Sequence, residues 1–270
     1  MTSSPTSFLT LARDGAVATL TINRPDAMNA LGEDGDGAAF EAICREINAD
    51  RALRCVILTG AGRAFSAGGN VKAMRDRTGA FAGAPADIRE AYRGNIHRIV
   101  RSLYGLEIPS IAAVNGPAIG LGCDVACMAD IRVASETAKF GVTFLKLGLI
   151  PGDGGAWLLP RTIGMSRAAE LLFTGEVIDA QTAERWGLVS RVVSAEALLQ
   201  ETRTLAHRIA EQPPQALRLA KTLLRQGQTA SYETLMEFSA ASQALMHHTR
   251  DHEEGVAALL EKRPASFTGQ

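Results

Sequence analysis

The chain has 270 residues, of which 46% are hydrophobic and 21% charged, a composition typical of a soluble globular protein with a sizeable core. Its formal net charge is −1, so charge gives no reason to expect nucleic acid or an anionic membrane as a partner. No run of about 18 apolar residues is present, so we expect no segment that spans a membrane.

The cysteines and the N-terminus predict a cytoplasmic protein. Residues 1–7 lack the basic segment and apolar core of a signal peptide. Four cysteines are too few for a disulfide scaffold in a chain of this length, so we expect buried, reduced thiols at Cys44, Cys55, Cys123 and Cys127. Cys123 and Cys127 share a predicted helix face, but no His or further Cys lies close enough to them in sequence to suggest a metal site.

The first three quarters of the chain alternate predicted strands and helices. Residues 8–13 and 16–22 predict a β-hairpin, because Asp14 and Gly15 between them favour a tight turn. Hydrophobic periodicity and continuous apolar runs predict helices over about 34–49, 88–106, 157–163 and 166–173, and strands over 55–59, 111–114 and 131–134. Small residues over 79–85 predict a mobile surface loop.

The last quarter is almost wholly helical. Its periodicity predicts helices over 195–211, 215–226, 232–247 and 251–262. The sequence therefore predicts an α/β protein in which residues 1–194 form a strand-and-helix core and residues 195–270 form a helical subdomain.

A strand, a glycine-rich turn and a helix follow one another twice, over residues 56–72 and 111–126. A helix N-terminus has backbone N–H groups without intrahelical acceptors, and the helix dipole adds partial positive charge there. If the two turns face each other, N–H groups near Gly69 and Leu121 could bind one carbonyl oxygen and stabilise an oxyanion. The alternative is that both are only tight turns with packing glycines.

Other chemical motifs are incomplete or absent. Neither glycine-rich turn has the third glycine of a dinucleotide-binding fingerprint, and no phosphate-binding loop with Lys followed by Ser or Thr occurs. Ser66 lacks the first glycine of a nucleophile elbow. We interpret the five histidines as surface or subunit-packing residues, at positions 97, 207, 247, 248 and 252.

Two carboxylates lie close to these turns in sequence. Asp124 falls in an otherwise apolar helix, where a carboxylate must be paired, solvated from a pocket or perturbed in its pKa. Asp153 is surrounded by Gly152, Gly154 and Gly155, and it could either serve chemistry or cap the following helix.

In these residues the sequence resembles the crotonase superfamily, the enoyl-CoA hydratase/isomerase family, over nearly its whole length. The matching motifs are residues 23–31 (NRPDAMNAL), 64–72 (AFSAGGNVK), 111–124 (IAAVNGPAIGLGCD), 148–151 (GLIP), 172–175 (LFTG) and 187–189 (GLV), with 254–255 (EG), 262–264 (KRP) and Phe267 at the end. The resemblance implies a spiral of ββα units with a C-terminal helical trimerisation subdomain, assembled as a homotrimer or a dimer of trimers.

The resemblance also implies a ligand, a coenzyme A thioester that is the substrate, with no metal or redox cofactor. Its carbonyl oxygen would accept hydrogen bonds from the Gly69 and Leu121 N–H groups, which would stabilise an enolate. The CoA moiety would contact an early loop and the first oxyanion turn, at Arg24, Asp26, Ala27, Met28, Ala67, Gly69, Asn70, Val71 and Lys72. Phe267 matches a position that meets the CoA of a neighbouring subunit.

The chain departs from the family pattern at the catalytic acids. The typical hydratase has two glutamates, and these positions fall on Asp124 and Phe144. Asp153 is the available substitute, so we expect Asp124 and Asp153 to move protons. Phe144 favours double-bond isomerisation, while the family resemblance leaves hydration open. A crotonase-like C–C hydrolase of a diketone and a non-catalytic acyl-CoA-binding protein remain alternatives.

Overall fold

The computed structural model describes residues 8–270. Nine strands lie within this range: β1 Leu9–Asp14, β2 Val17–Ile22, β3 Cys55–Gly60, β4 Ser110–Val114, β5 Ala118–Ile119, β6 Ile131–Ser135, β7 Lys139–Gly141, β8 Val177–Asp179 and β9 Arg191–Val193. The same part of the chain forms twelve α-helices: α1 Asp36–Ala49, α2 Val71–Asp76, α3 Pro85–Ala91, α4 His97–Tyr104, α5 Leu121–Met128, α6 Gly155–Ile163, α7 Met165–Thr174, α8 Ala180–Arg185, α9 Leu198–Ala210, α10 Pro214–Gln226, α11 Tyr232–His247 and α12 Arg250–Glu261.

The larger sheet has six strands in the order β1-β2-β3-β4-β6-β9. The hairpin β1–β2 is antiparallel, and every later neighbour pairs in parallel. All residues of β3 and β4 are buried, because the main core covers one face of the sheet and α9 packs on the other. This two-sided burial explains their continuous apolar sequences.

A second sheet of three strands, in the order β5-β7-β8, lies beside the first. Its strands have only two or three residues, too few to show a period of two, and the sequence prediction missed them. The sheet matters for the site because β5 joins β4 to α5 and pairs in parallel with β7.

The segments predicted as a mobile loop (79–85) and as one long helix (88–106) both differ from the prediction in the structure. Residues 79–85 contain a 3₁₀ turn, Gly79–Phe81, and Pro85 is already the first residue of α3. A π-helical turn, Tyr92–Ile96, then separates α3 from α4. Proline favours the first position of a helix, whereas a π turn has no simple sequence signal.

The C-terminal helices attach to the core through α9 and α10. The Lys221 ammonium of α10 binds the Ile108 carbonyl oxygen at 2.7 Å and the Asp130 carboxylate at 2.7 Å. The C-terminal segment packs beside α12, since the Asp251 carboxylate accepts hydrogen bonds from the Thr268 and Gly269 N–H groups at 2.7 and 2.9 Å. The division at residues 194/195 stays a prediction.

All four cysteines are buried and free, as predicted. Over residues 8–270, no helix combines the length and apolar character that crossing a membrane requires.

Candidate active site

The two glycine-rich turns are in direct contact. Gly68 has φ +83°, and a Cβ placed there would lie 2.4 Å from the Ile119 carbonyl oxygen and 3.2 Å from Leu121 N. Ile119 N donates to the Ser66 carbonyl oxygen at 3.0 Å. A Cβ on Gly122 would lie 2.2 Å from that same Ser66 oxygen, so this approach requires glycine.

Each turn presents one backbone N–H without an acceptor. Leu121 is the first residue of α5, where an N–H has no intrahelical acceptor. In the described range, no backbone or side-chain oxygen accepts from the N–H of Leu121 or of Gly69. Together with the contact between the turns, this leaves two donors at one place, as the oxyanion hypothesis requires.

Asp124 lies in the first turn of α5 and is completely buried. Its Oδ2 accepts a hydrogen bond from Gly155 N at 3.1 Å, while its Oδ1 has no partner. Burial raises the pKa of Asp124 well above its ordinary value, and the charges of Cys127 and Asp153 add to the rise. Burial thus favours the protonated form of this carboxyl, which is the form that a general acid needs.

Asp153 lies in the loop before α6 and has only 4% of its surface exposed. It does not cap α6: the helix begins at Gly155 after Gly154 with φ +105°, and no side chain caps it. The helix-cap alternative is therefore wrong. Within residues 8–270 the Asp153 side chain makes no hydrogen bond and its Oδ1 is sealed from solvent, and burial raises its pKa to about 6.

Tyr92 and His97 support the Asp153 loop, and the sequence prediction missed both. The His97 Nε2–H donates to the Gly152 carbonyl oxygen at 3.0 Å. Burial raises the pKa of Tyr92, and the charge of Asp153 contributes to that rise, so the phenol lies near the carboxylate. The π turn brings Tyr92 here, and no sequence pattern indicated it.

Phe144 gives the site an apolar wall. It lies in the 3₁₀ turn Thr143–Leu147, which follows β7. Its ring lies 3.9 Å from the position that a Cβ on Gly120 would take. The position where the family pattern has a second acid thus holds a phenyl ring next to the N-terminus of α5.

The residues predicted to contact CoA lie in two segments that meet. The Ala67 N–H donates to the Met28 carbonyl oxygen at 2.9 Å, which joins the early loop to the first turn. Asp26 and Ala27 are exposed in a 3₁₀ turn. Asn70 caps α2 by accepting from Ala73 N, and the exposed Val71 and Lys72 open that helix.

Two residues of the predicted CoA-contacting set, Arg24 and Phe267, already have partners within the chain. The Arg24 guanidinium is already paired with the Asp36 carboxylate at 2.8 and 3.0 Å, and it stacks on Phe8 at 3.8 Å. Phe267 packs against Gly255 of its own α12, and its carbonyl oxygen accepts a hydrogen bond from Arg54 at 2.6 Å. The expected contact of Phe267 with the CoA of a neighbouring subunit stays a prediction.

A cleft of ≈ 870 Å³ opens on another side of Asp153. It lies between α4, α6 and α10, and its walls include Tyr104, Trp157, Lys221 and Arg225. Across residues 8–270, no three His, Cys, Asp or Glu side chains are grouped so that they could hold a metal ion.

Comparison with known proteins shows similarity over nearly the whole chain. The family model described as enoyl-CoA hydratase/isomerase matches residues 12–270. The 1,2-epoxyphenylacetyl-CoA isomerase of Escherichia coli is 37% identical over 254 residues, covering 94% of this chain and 95% of that protein. The crotonyl-CoA hydratase of Syntrophomonas wolfei is 38% identical over 258 residues, covering 95% and 96%.

A solved structure confirms the predicted fold class. The crystal structure of the enoyl-CoA hydratase from Bacillus anthracis superposes with a TM-score of 0.91 at 33% identity, covering 98% of this chain and 100% of that chain. The spiral α/β core with C-terminal helices is thus the crotonase-type fold.

Proposed function

Because the chain belongs to the enoyl-CoA hydratase/isomerase family and is an enzyme of that type, we propose that it shifts the carbon–carbon double bond of an enoyl-CoA thioester. The observation that supports this choice is the pair of buried carboxylates, Asp124 and Asp153, beside two free backbone N–H groups, with Phe144 at the second acid position. Phe144 can neither activate a water molecule nor hold one by hydrogen bonds.

The proposed reaction begins at the thioester carbonyl. Its oxygen accepts hydrogen bonds from the Gly69 and Leu121 N–H groups, and negative charge grows on this oxygen as the enolate forms. The positive end of the α5 dipole lies at the same place. Both donors are backbone atoms of packed turns, so they need no reorganisation during the reaction.

The two carboxylates take different parts because their pKa values are shifted by different amounts. Asp153, with a pKa of about 6, is a carboxylate near neutral pH and removes a proton from the acyl group. It then returns a proton to the carbon two positions away, which moves the double bond. Burial favours the protonated form of Asp124, which donates a hydrogen bond beside the reacting carbons.

Hydration is the second candidate, because a relative of this chain is a crotonyl-CoA hydratase. In that case Asp124 and Asp153 would both hold the attacking water. The name of the Escherichia coli relative, a CoA-ester isomerase, agrees with our first choice.

The chemistry that we propose uses only protons and hydrogen bonds. Coenzyme A enters as part of the substrate, and we propose no separate cofactor. Its binding surface is the joined pair of segments around Met28 and Ala67, with Lys72 available for phosphate. Buried, free thiols agree with a cytoplasmic location.

We also propose a homotrimer, or a dimer of trimers. Large exposed apolar side chains occur in two separate segments, Leu145, Leu147, Ile150, Met165 and Phe173 in the first, and Leu224, Tyr232, Leu245, Leu259 and Leu260 in the second. Two different apolar surfaces fit a head-to-tail contact, which closes into a ring. Sedimentation should give three or six copies, and Leu260→Glu should lower that number.

The decisive experiment incubates the enzyme separately with a 3-enoyl-CoA and a 2-enoyl-CoA and identifies the products by mass and chromatography. Isomerisation changes the retention time of the 3-enoyl-CoA and leaves its mass unchanged. A product heavier by one water from the 2-enoyl-CoA, formed faster than the isomer, would favour hydration. If neither substrate changes, the proposed function fails.

A further inference from the structure

The two carboxylates differ in their contact with solvent. Asp124 is 0% exposed, its Oδ2 is bonded to Gly155 N, and its Oδ1 is sealed. The Asp153 Oδ1 is also sealed, but its Oδ2 has no hydrogen-bond partner and is not among the sealed atoms. The residue keeps 4% of its surface exposed. Only Asp153, of the two acids, has an oxygen that water can reach.

The cleft between α4, α6 and α10 is the space that Asp153 borders. Gly152, Asp153 and Gly154 form one edge of the cleft, whereas Gly69, Leu121 and Asp124 do not line it. It is therefore separate from the oxyanion turns.

The cleft walls are largely apolar, and the wall opposite Asp153 adds a few polar side chains. Helix α10 contributes Lys221, Thr222 and Arg225 to this wall, and the exposed Thr229 follows the helix. The cleft is open to solvent, and a space of ≈ 870 Å³ holds many water molecules, since each occupies about 30 Å³ of liquid.

We propose that Asp153 exchanges its proton with water through this cleft, while the proton of Asp124 stays inside the protein. The inference rests on the proposed isomerisation. In that reaction the Asp153 carboxylate takes a proton from the α-carbon of a 3-enoyl thioester, and the C–H electron pair enters a dienolate whose charge lies on the thioester oxygen. Asp153 then protonates the γ-carbon, and the double bond lies between the α- and β-carbons. No atom or electron is gained or lost.

Access of water to Asp153 through the cleft determines whether the γ-carbon receives a proton from water or the proton that was removed from the α-carbon. If Asp153 exchanges during the lifetime of the dienolate, the returned proton comes from water. If the carboxyl is closed to water, the proton that was removed goes back to the same molecule. The isotope content of the product made in D₂O therefore reports access of water to Asp153.

The test fills the cleft without changing Asp153. Thr222→Trp places an indole into it from α10, and Thr229→Trp does so from an exposed position that does not endanger folding. Ala220→Trp is the matched control. Ala220 is exposed on the same helix and does not line the cleft, since two residues turn a helix by about 200°. The wild type and all three variants convert protiated 3-enoyl-CoA in D₂O, and mass spectrometry measures deuterium in the first product formed.

We expect deuterium in the wild-type product and the same deuterium content with Ala220→Trp. At least one cleft-filling variant should lower the deuterium content about two-fold or more. In that variant water reaches Asp153 more slowly, so return of the original proton competes better with exchange. An equal deuterium content in the wild type and both cleft-filling variants would overturn the cleft as the route. A wild-type product without deuterium would overturn exchange itself. Formation of the isomer in either case leaves the proposed function intact, so the two failures are distinguishable.

Discussion

Gly155→Ala should disable the site by moving Asp124. A Cβ on Gly155 would lie 2.2 Å from Asp124 Oδ1, 2.8 Å from Cγ and 2.9 Å from Oδ2. The carboxyl group would have to move by about 1 Å to reach van der Waals distance, and a completely buried side chain has no free space for this. A displacement of about 1 Å from a productive geometry costs on the order of 10²-fold in rate.

The effect on stability should be much smaller than the effect on rate. Overpacking costs about 1–3 kcal/mol, but alanine is favoured over glycine in a helix by about 1 kcal/mol, and Gly155 opens α6 without a positive φ. We would measure kcat/KM for a 3-enoyl-CoA together with urea unfolding. Gly94→Ala is the matched control, because a Cβ there meets nothing within 4 Å. A Gly155→Ala enzyme with wild-type kcat/KM would show that the position of Asp124 does not matter for the reaction.

Four further predictions concern Asp153 and the first glycine-rich turn. The rate constant kcat/KM should rise with pH through about 6, as Asp153 becomes a carboxylate, and a flat profile from pH 5 to 8 would exclude it as the base. Asp153→Asn should lower kcat/KM by about 10²–10⁴-fold. The same substitution should raise the unfolding free energy at pH 8 by up to about 3 kcal/mol, because a carboxyl whose folded pKa is raised from 3.8 to about 6 destabilises the fold once pH passes through that interval. The stability difference should disappear below pH 4, and urea titrations at both pH values check this. Gly68→Ala should destabilise the protein by more than about 1 kcal/mol in the same assay, since φ is +83° and the Cβ would lie 2.4 Å from the Ile119 carbonyl oxygen.

The elements that could be predicted from sequence are those whose local pattern agrees with their environment. The hairpin was marked by Asp14 and Gly15, and strand β3 by a continuous apolar run. Helix α11 was predicted at its observed bounds, and the Ser231 side chain caps its N-terminus by accepting a hydrogen bond from Thr234 N. The short strands β5, β7 and β8 were missed because their pairing depends on residues far away in sequence.

The candidate site was predictable only in part. Glycine spacing indicated both oxyanion turns, and Asp124 stood out as a carboxylate among apolar residues. The choice between catalyst and helix cap for Asp153 depended on where α6 begins, and a boundary of one or two residues is below what sequence patterns resolve. Tyr92 and His97 reach the site through the π turn and through a contact with Gly152, which is 55 positions from His97 in the chain.

The pairing of Asp124 with Asp153 gives a physical account of how this chain can work with Phe144 in place of an acid. Burial raises the pKa of both carboxyl groups, and the charge of Asp153 adds to the rise at Asp124, so an ionised Asp153 disfavours ionisation of Asp124. Burial is complete for Asp124 and slightly less for Asp153, which favours the proton on Asp124. In the reaction that we propose, the pair would supply an acid and a base at the same pH, as proton transfer between two carbons of one acyl group requires. A second acid at position 144 would place another negative charge at the N-terminus of α5, the helix that carries Asp124, and the phenyl ring avoids this.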